Sequence, residues 1–378
     1  MASNTLRQLN EHGQSPWIDN ITRGMLRTGE LQRLIDLGIR GLTSNPTIFQ
    51  KAIGSGHDYD EALQSMVREG RDLDQIYEGL VLADIAEAAG ILRQVYDSSG
   101  GGDGFVSIEV SPTLAHDAAK TVEQAKRYFS FLGAPNIMVK VPGTTEGVEA
   151  FSSLIGAGVN INVTLLFSLE NYRAIADAYL DGLEELAASG RPLHAVSSVA
   201  SFFVSRVDTA IDAILEQKAK DSPSEAARFR ALQGRAAIAN AKLAYAEVYD
   251  EVFRGSRWDA LAAKGARRQR PLWASTSTKN PAYRDVMYVE GLIGPGTVDT
   301  VPPATMEQFL DHGSVRDTLL EDEAGAWQVM QELSDLGIDM AQVTQKLQDD
   351  GVASFAKSFE DLEATIAARR LEMLAHAT

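Results

Sequence analysis

Cysteine is absent from the 378 residues. That excludes disulfides, iron–sulfur ligation and thiol nucleophiles together. Long hydrophobic runs are missing as well, and none is long enough to span a bilayer. Residues 1–10 lack the apolar centre of a signal peptide, so the expected location is cytoplasmic. Positive charge is in deficit: 35 Lys and Arg face 52 Asp and Glu, a formal net charge of −17. Such a surface repels nucleic acid and anionic membranes, although a few local cations suffice for a phosphorylated substrate. Only six histidines occur, at 12, 57, 116, 194, 312 and 376. No two have the i, i+4 spacing of a helical zinc site, so no metal is expected. Neither a Walker-type loop nor a Gly-x-Ser-x-Gly elbow is found. Gly100-Gly101-Gly102-Asp103-Gly104 precedes a strand instead of following one. It reads as a flexible loop between helix and strand, not as a dinucleotide fingerprint, and no cofactor is expected.

What is present is ordinary globular material, 44% hydrophobic and 23% charged. Short apolar runs alternate with longer helical patterns. Eight runs read as strands: Trp17–Ile21, Gly41–Ser44, Phe105–Val110, Ile137–Val141, Asn160–Leu166, Ala195–Val199, Leu272–Ser275 and Thr297–Val301. Helical patterns cover Met25–Leu37, Tyr59–Arg68, Leu73–Tyr96, Ala115–Phe131, Val148–Gly156, Leu169–Ala188, Phe203–Lys220, Glu225–Phe253 and Tyr283–Leu292. Leu73, Ile76, Leu80, Ile85, Ala88, Leu92 and Val95 form one 3.6-residue stripe. The strands are nearly all apolar, as suits strands covered on both faces. The fold class expected is α/β, a closed (β/α)8 TIM barrel, with an open doubly wound sheet as its competitor. The whole of 1–378 is expected to form one such domain, with a C-terminal helical extension over about 304–378. In that extension Val352, Phe355, Phe359, Leu362 and Ile366 share one face. Packing on the barrel exterior is expected for it; capping of the barrel mouth or a subunit contact are the alternatives.

Polar residues at the strand ends carry the chemistry. Lys140 sits in Ile137-Met138-Val139-Lys140-Val141-Pro142, towards the end of a short apolar run. Burying an ammonium among β-branched side chains is costly, which makes this lysine a candidate reactive amine. A buried stem with a snorkelling head is the plainer reading. Asp19, Glu109, Asn162 and Thr164 lie in other strands at positions that branched apolar residues fill in a purely structural barrel. Each has a structural explanation as a cap or a satisfied buried group. Together they point to one polar cluster. A free lysine near pKa 10.4 offers only about one neutral amine in a few thousand at pH 7. A fall of roughly three units, equivalent to about 4 kcal/mol, makes it competent to form a Schiff base, and burial can supply that. The iminium then acts as electron sink for carbon–carbon cleavage, while carboxylates and a threonine move protons, directly or through water.

The motifs Trp17-Ile18-Asp19-Asn20-Ile21-Thr22-Arg23, Thr43-Ser44-Asn45-Pro46-Thr47-Ile48-Phe49, Ser107-Ile108-Glu109-Val110, Lys140-Val141-Pro142 and Asn162-Val163-Thr164-Leu165-Leu166-Phe167-Ser168 occur in this order. In them the chain resembles the transaldolases, specifically the longer bacterial form, over nearly its whole length. The resemblance implies a (β/α)8 barrel and cofactor-independent Schiff-base chemistry in the non-oxidative pentose phosphate pathway. It implies that Lys140 attacks a ketose phosphate, that Asp19 serves the C4 hydroxyl, and that Glu109 and Thr164 hold a water. By the same resemblance Asn45, Asn162 and Ser201 bind the dihydroxyacetone fragment and Arg206 binds phosphate. A second phosphate arginine of shorter relatives is missing from Ser275-Thr276-Ser277-Thr278-Lys279-Asn280, where Ser275 and Lys279 are the candidates. Phe202 also replaces a proline of the shorter forms. The partners implied are sugar phosphates, with the chain a monomer or homodimer. Alternatives are a fructose-6-phosphate aldolase-like enzyme that releases free dihydroxyacetone, an inert sugar-phosphate-binding protein, and a metal-dependent barrel enzyme.

Overall fold

Strands covered on both faces need no polar alternation, and the eight apolar segments fold accordingly as parallel strands enclosed by helices. The computed structural model describes residues 4–375. β1 (Gln14–Asp19), β2 (Gly41–Thr43), β3 (Val106–Glu109), β4 (Ile137–Pro142), β5 (Ile161–Leu166), β6 (Ser198–Phe203), β7 (Arg270–Ala274) and β8 (Thr297–Val301) pair in sequence order, and β8 closes on β1. This is the (β/α)8 barrel read from the alternation of elements. The long helix Leu73–Ser98 buries Ile76, Leu80, Ile85, Ala88, Leu92 and Val95, with Leu73 half-buried at its start.

The helices enter with side-chain caps supplied by the strand-to-helix turns. Thr22, Asn45, Thr144 and Ser168 each accept a backbone N–H three residues on. Pro46 follows Asn45 at the first helical position, where its missing N–H costs nothing. Gly147, in the helix after β4, is fixed by space: a Cβ there would lie 1.8 Å from the Pro142 carbonyl oxygen. Glycine thus lets this helix start directly against the strand that carries Lys140.

Several boundaries differ from the sequence reading. β1 begins at Gln14, ahead of Pro16. Proline lacks a donor and stops a strand pattern on paper, yet the Pro16 carbonyl still accepts from the Arg40 N–H at 2.8 Å. β6 is Ser198–Phe203, not Ala195–Val199, so Phe203 ends a strand and the next helix starts at Ser205. Leu193–Ala195 form a 3₁₀ turn where the strand was expected to start, whereas Ser198 is buried in β6 and its hydroxyl accepts from Gln269 at 2.9 Å. The pattern over 225–253 is not one helix. It breaks into Ala226–Arg230, Ala236–Leu243, a π-turn at Ala244–Tyr249 and Asp250–Val252. The first break is anchored where the Gly234 N–H donates to Asp212. Met25–Leu37 divides into Arg23–Arg27 and Glu30–Leu37, and Tyr283–Leu292 shrinks to Met287–Glu290. The glycine-rich stretch before β3 is a turn tied to the barrel floor: Asp103 accepts from Ser15, Trp17 and Arg270.

Beyond β8 come helices Pro303–His312, Glu323–Asp335 and Met340–Ala375. The last buries Phe355, Phe359, Leu362 and Ile366, the face read from spacing. Its partner differs from the expectation of the barrel exterior. Thr47, at the start of helix Pro46–Gly54, donates to Ser358 at 2.8 Å, and the Phe355 ring centre lies 6.0 Å from Lys140 Nζ. The C-terminal helix therefore crosses the mouth of the barrel. Periodicity identifies a buried face but not what covers it.

Candidate active site

Register assembles the centre of the site. Glu109 pairs with Lys140 across β3–β4, and Lys140 with Asn162 across β4–β5. Residues paired across adjacent strands project to the same side, so these three enter the barrel together. Lys140 is 5% exposed and Glu109 7%. Lys140 Nζ donates to the Ser44 carbonyl at 3.1 Å and lies 3.3 Å from Glu109 Oε2. That carboxylate oxygen is not aligned for a hydrogen bond and has no other partner among the described residues. Burial pushes the Glu109 carboxyl above its ordinary range, and the Lys140 charge opposes the rise.

Below the lysine an amide ladder spans three strands. Ser201 donates to Asn162 Oδ1 at 2.7 Å, and Asn162 Nδ2 donates to Ser107 Oγ at 3.1 Å. Both ends of the Asn162 amide are thereby fixed. Thr164 is fully buried on β5 and its hydroxyl has no hydrogen-bond partner among the described residues. Asp19 ends β1 opposite Thr43, whose hydroxyl donates to Asp19 Oδ1 at 2.8 Å. One carboxylate oxygen is held and the other is left to the cavity. Asn45 is committed in part, since its Oδ1 caps the helix through the Ile48 N–H.

These residues open on a cavity of about 460 Å³ at the C-terminal ends of the strands. Asp19, Asn45, Lys140, Thr164, Ser201, Arg206, Ser275 and Lys279 all line it. Glu109 and Asn162 do not; they reach it through Lys140 and Ser201. All ten residues singled out in the sequence thus belong to one site. The C-terminal mouth of the barrel is where this fold gathers strand-end side chains.

The outer part of the cavity is cationic. Arg206 is the second residue of the helix after β6, packed over Phe203 at 5.0 Å and 5.9 Å from the Phe355 ring. Burial pulls its guanidinium below the ordinary value, and Asp19 partly restores it. Lys279 is lowered by burial and then by repulsion from Arg206 and Lys51. Its ammonium donates to Ser277 at 2.6 Å. Ser275 takes a left-handed φ of 57° just beyond β7, where its hydroxyl meets that of Ser205 at 2.9 Å. Three cations facing one cavity in a chain of net charge −17 make a local exception suited to a phosphate.

Sequence reasoning missed three residues that line this cavity, Lys51, Thr43 and Phe355. Thr43 and Lys51 lie in or just after the Thr43–Phe49 motif, and helical spacing from Asn45 places Lys51 on the next turns. Phe355 was legible only as part of an apolar face. Among the described residues no three of His, Cys, Asp or Glu converge as a metal site, and no helix is long and apolar enough to cross a membrane.

Comparison with known proteins places the chain in a family. Residues 16–366 match the family described as Transaldolase/Fructose-6-phosphate aldolase. The chain is 47% identical over 368 residues to transaldolase 2 of Nostoc punctiforme, covering 96% of each. It is 45% identical over 367 residues to a transaldolase of Trichodesmium erythraeum, again covering 96% of each. Against transaldolase 1 of Streptomyces avermitilis the identity is 46% over 364 residues, covering 96% of this chain and 94% of that one.

Proposed function

The chain belongs to the transaldolase/fructose-6-phosphate aldolase family, and from that premise we propose that it is a transaldolase working through a Schiff base on Lys140. Sedoheptulose 7-phosphate and fructose 6-phosphate are the ketose donors; glyceraldehyde 3-phosphate and erythrose 4-phosphate are the aldose acceptors. The reaction serves the non-oxidative pentose phosphate pathway in the cytoplasm. The observation that carries this reading is a buried lysine on β4 opening on a cavity that also presents Asp19 and three cations.

In the proposed sequence the neutral Lys140 amine adds to the donor's C2 carbonyl. The carbinolamine loses water and becomes an iminium. Glu109 and Thr164, each with a buried oxygen that makes no hydrogen bond among the described residues, hold the water that carries protons to and from this nitrogen and oxygen. Asp19 takes the proton of the C4 hydroxyl. The C3–C4 bond breaks, its electron pair passes to the iminium as an enamine, and an aldose phosphate leaves. The enamine carbon then attacks the aldehyde carbon of the acceptor, and Asp19 returns its proton to the new hydroxyl. Hydrolysis frees the product ketose and Lys140.

Binding follows the same division of the cavity. Asn162 and Ser201, locked to each other, and the Asn45 amide nitrogen hold the dihydroxyacetone unit. Arg206 grips the phosphate with a planar, doubly donating group. Lys279 and Lys51 add point charges, and Ser275 adds a hydroxyl. Phe355 covers the lysine, which limits the water able to hydrolyse the enamine carrier between half-reactions.

The test is dependence on acceptor. With fructose 6-phosphate and erythrose 4-phosphate, sedoheptulose 7-phosphate and glyceraldehyde 3-phosphate should accumulate in equal amounts. With fructose 6-phosphate alone, turnover should fall to a small residual rate. Release of free dihydroxyacetone at the full rate without acceptor would contradict the transferase reading.

A further inference from the structure

The end of β5 is irregular beside Thr164. The β5–β6 register shifts between Val163 and Leu166, and Leu165 takes a left-handed φ of 61°. A leucine there is strained, because its Cβ crowds the following carbonyl oxygen. Such a bulge redirects the neighbouring side chain and persists only where its surroundings hold it. One group does so from a distant part of the chain. Gln348, buried on the C-terminal helix, donates from Nε2 to the Leu165 carbonyl at 3.1 Å and to the Gly143 carbonyl at 2.9 Å. Asn171 Oδ1 lies 3.4 Å from the same nitrogen. Gly143 in turn donates its N–H to the Thr164 carbonyl at 2.7 Å. The helix can come this close because residue 351 is glycine: a Cβ there would meet Leu165 Cδ2 at 2.8 Å.

We propose that Gln348 is a positioning residue for imine formation: one side-chain amide from the C-terminal helix pins the carbonyls that follow Thr164 and Pro142, and so aims the Thr164 hydroxyl into the cavity. The inference rests on the reading of Lys140 as nucleophile and Thr164 as holder of the water. It gives the C-terminal helix a part in the chemistry that packing alone does not. An amide has two hydrogens to donate, so the two carbonyls use them both. Gly143 keeps a second donor in Asn171 Nδ2 at 2.8 Å. The side chain that donates to the Leu165 carbonyl is Gln348.

The experiment is a double-mutant cycle on the single-turnover rate of imine formation. Fructose 6-phosphate is mixed with excess enzyme and quenched with borohydride at timed intervals. The proteins are wild type, Gln348→Met, Thr164→Ala and the double variant. Methionine keeps the stem and removes both donors. Gln348→Met should slow labelling about 10- to 100-fold, the cost of a small misplacement of reacting groups. The double variant should be no slower than Thr164→Ala, because groups acting through one another are not additive. Labelling at the wild-type rate in Gln348→Met, or the same slowing factor in both backgrounds, overturns the proposal. Should Gln348→Met fail to fold, Gln348→Glu replaces it. Its carboxyl donates only while protonated, so its rate relative to wild type should fall as pH rises, and a flat ratio overturns the proposal. No labelling of wild type at Lys140 would overturn the parent reading and this one together; additive effects in a protein that does label overturn this one alone.

Discussion

Asp299 on β8 is fully buried and faces away from the cavity, and neither carboxylate oxygen has a hydrogen-bond partner among the described residues. Its cross-strand neighbours are Trp273 and Pro16, neither of which offers it a bond. The nearby Thr276 hydroxyl donates to the Thr300 carbonyl. Burial therefore pushes the Asp299 carboxyl up to about 8. An unfolded aspartate titrates near pKa 3.9. The sign follows from this order: the folded state favours the protonated acid, so the stability this one group contributes is fully present below about pH 4 and is lost as pH rises to about 8. Each unit of difference is worth about 1.4 kcal/mol, so this group alone removes about 4 kcal/mol between pH 4 and pH 7. Asp299→Asn keeps the shape and cannot ionise. Its own unpartnered donors add a pH-independent cost of about 1–3 kcal/mol, so the slope, not the absolute stability, is the prediction. Urea unfolding of both proteins from pH 4 to pH 8 supplies it. The difference between variant and wild type should move by about 4 kcal/mol in favour of the variant from pH 4 to pH 7. A constant difference across that range would refute the reasoning.

Two further expectations concern the site. Glu109→Gln removes a carboxylate that must be ionised to accept a proton. Wild-type rate should fall as pH drops through the raised Glu109 pKa, while the variant should lack that acid limb and be slower by about 100-fold or more at neutral pH, as measured by kcat/KM profiles. Arg206→Ala should raise KM for phosphorylated donors about 10- to 100-fold, the worth of a charged hydrogen bond, and should leave non-phosphorylated dihydroxyacetone transfer far less affected; equal losses on both substrates would remove Arg206 from the phosphate site.

The barrel and most of the site were legible in the sequence for a common reason. A polar residue at an inward position in the C-terminal half of an apolar strand has one place to go in a closed barrel, the C-terminal mouth. Asp19, Lys140 and Thr164 obey that rule without knowledge of any contact, and Glu109 and Asn162 follow by register. Arg206 and Lys279 lie just past strand ends and obey it too. Long-range contacts were not legible. Gln348 meets Gly143 across 205 positions, and nothing in a glutamine on an amphipathic helix marks it. Phe355 belongs to a stripe whose period names a face and not its partner. The displaced start of β6 is a similar failure. Ala195, expected to open the strand, ends a 3₁₀ turn, and pairing with β7 carries the strand on through Ser201 to Phe203.

The central claim is covalent attachment at one nitrogen. Fructose 6-phosphate followed by borohydride should leave a reduced sugar adduct on the peptide containing Lys140, at about one per chain, and Lys140→Met should show neither adduct nor turnover. An adduct on another lysine, or normal turnover by Lys140→Met, would contradict it.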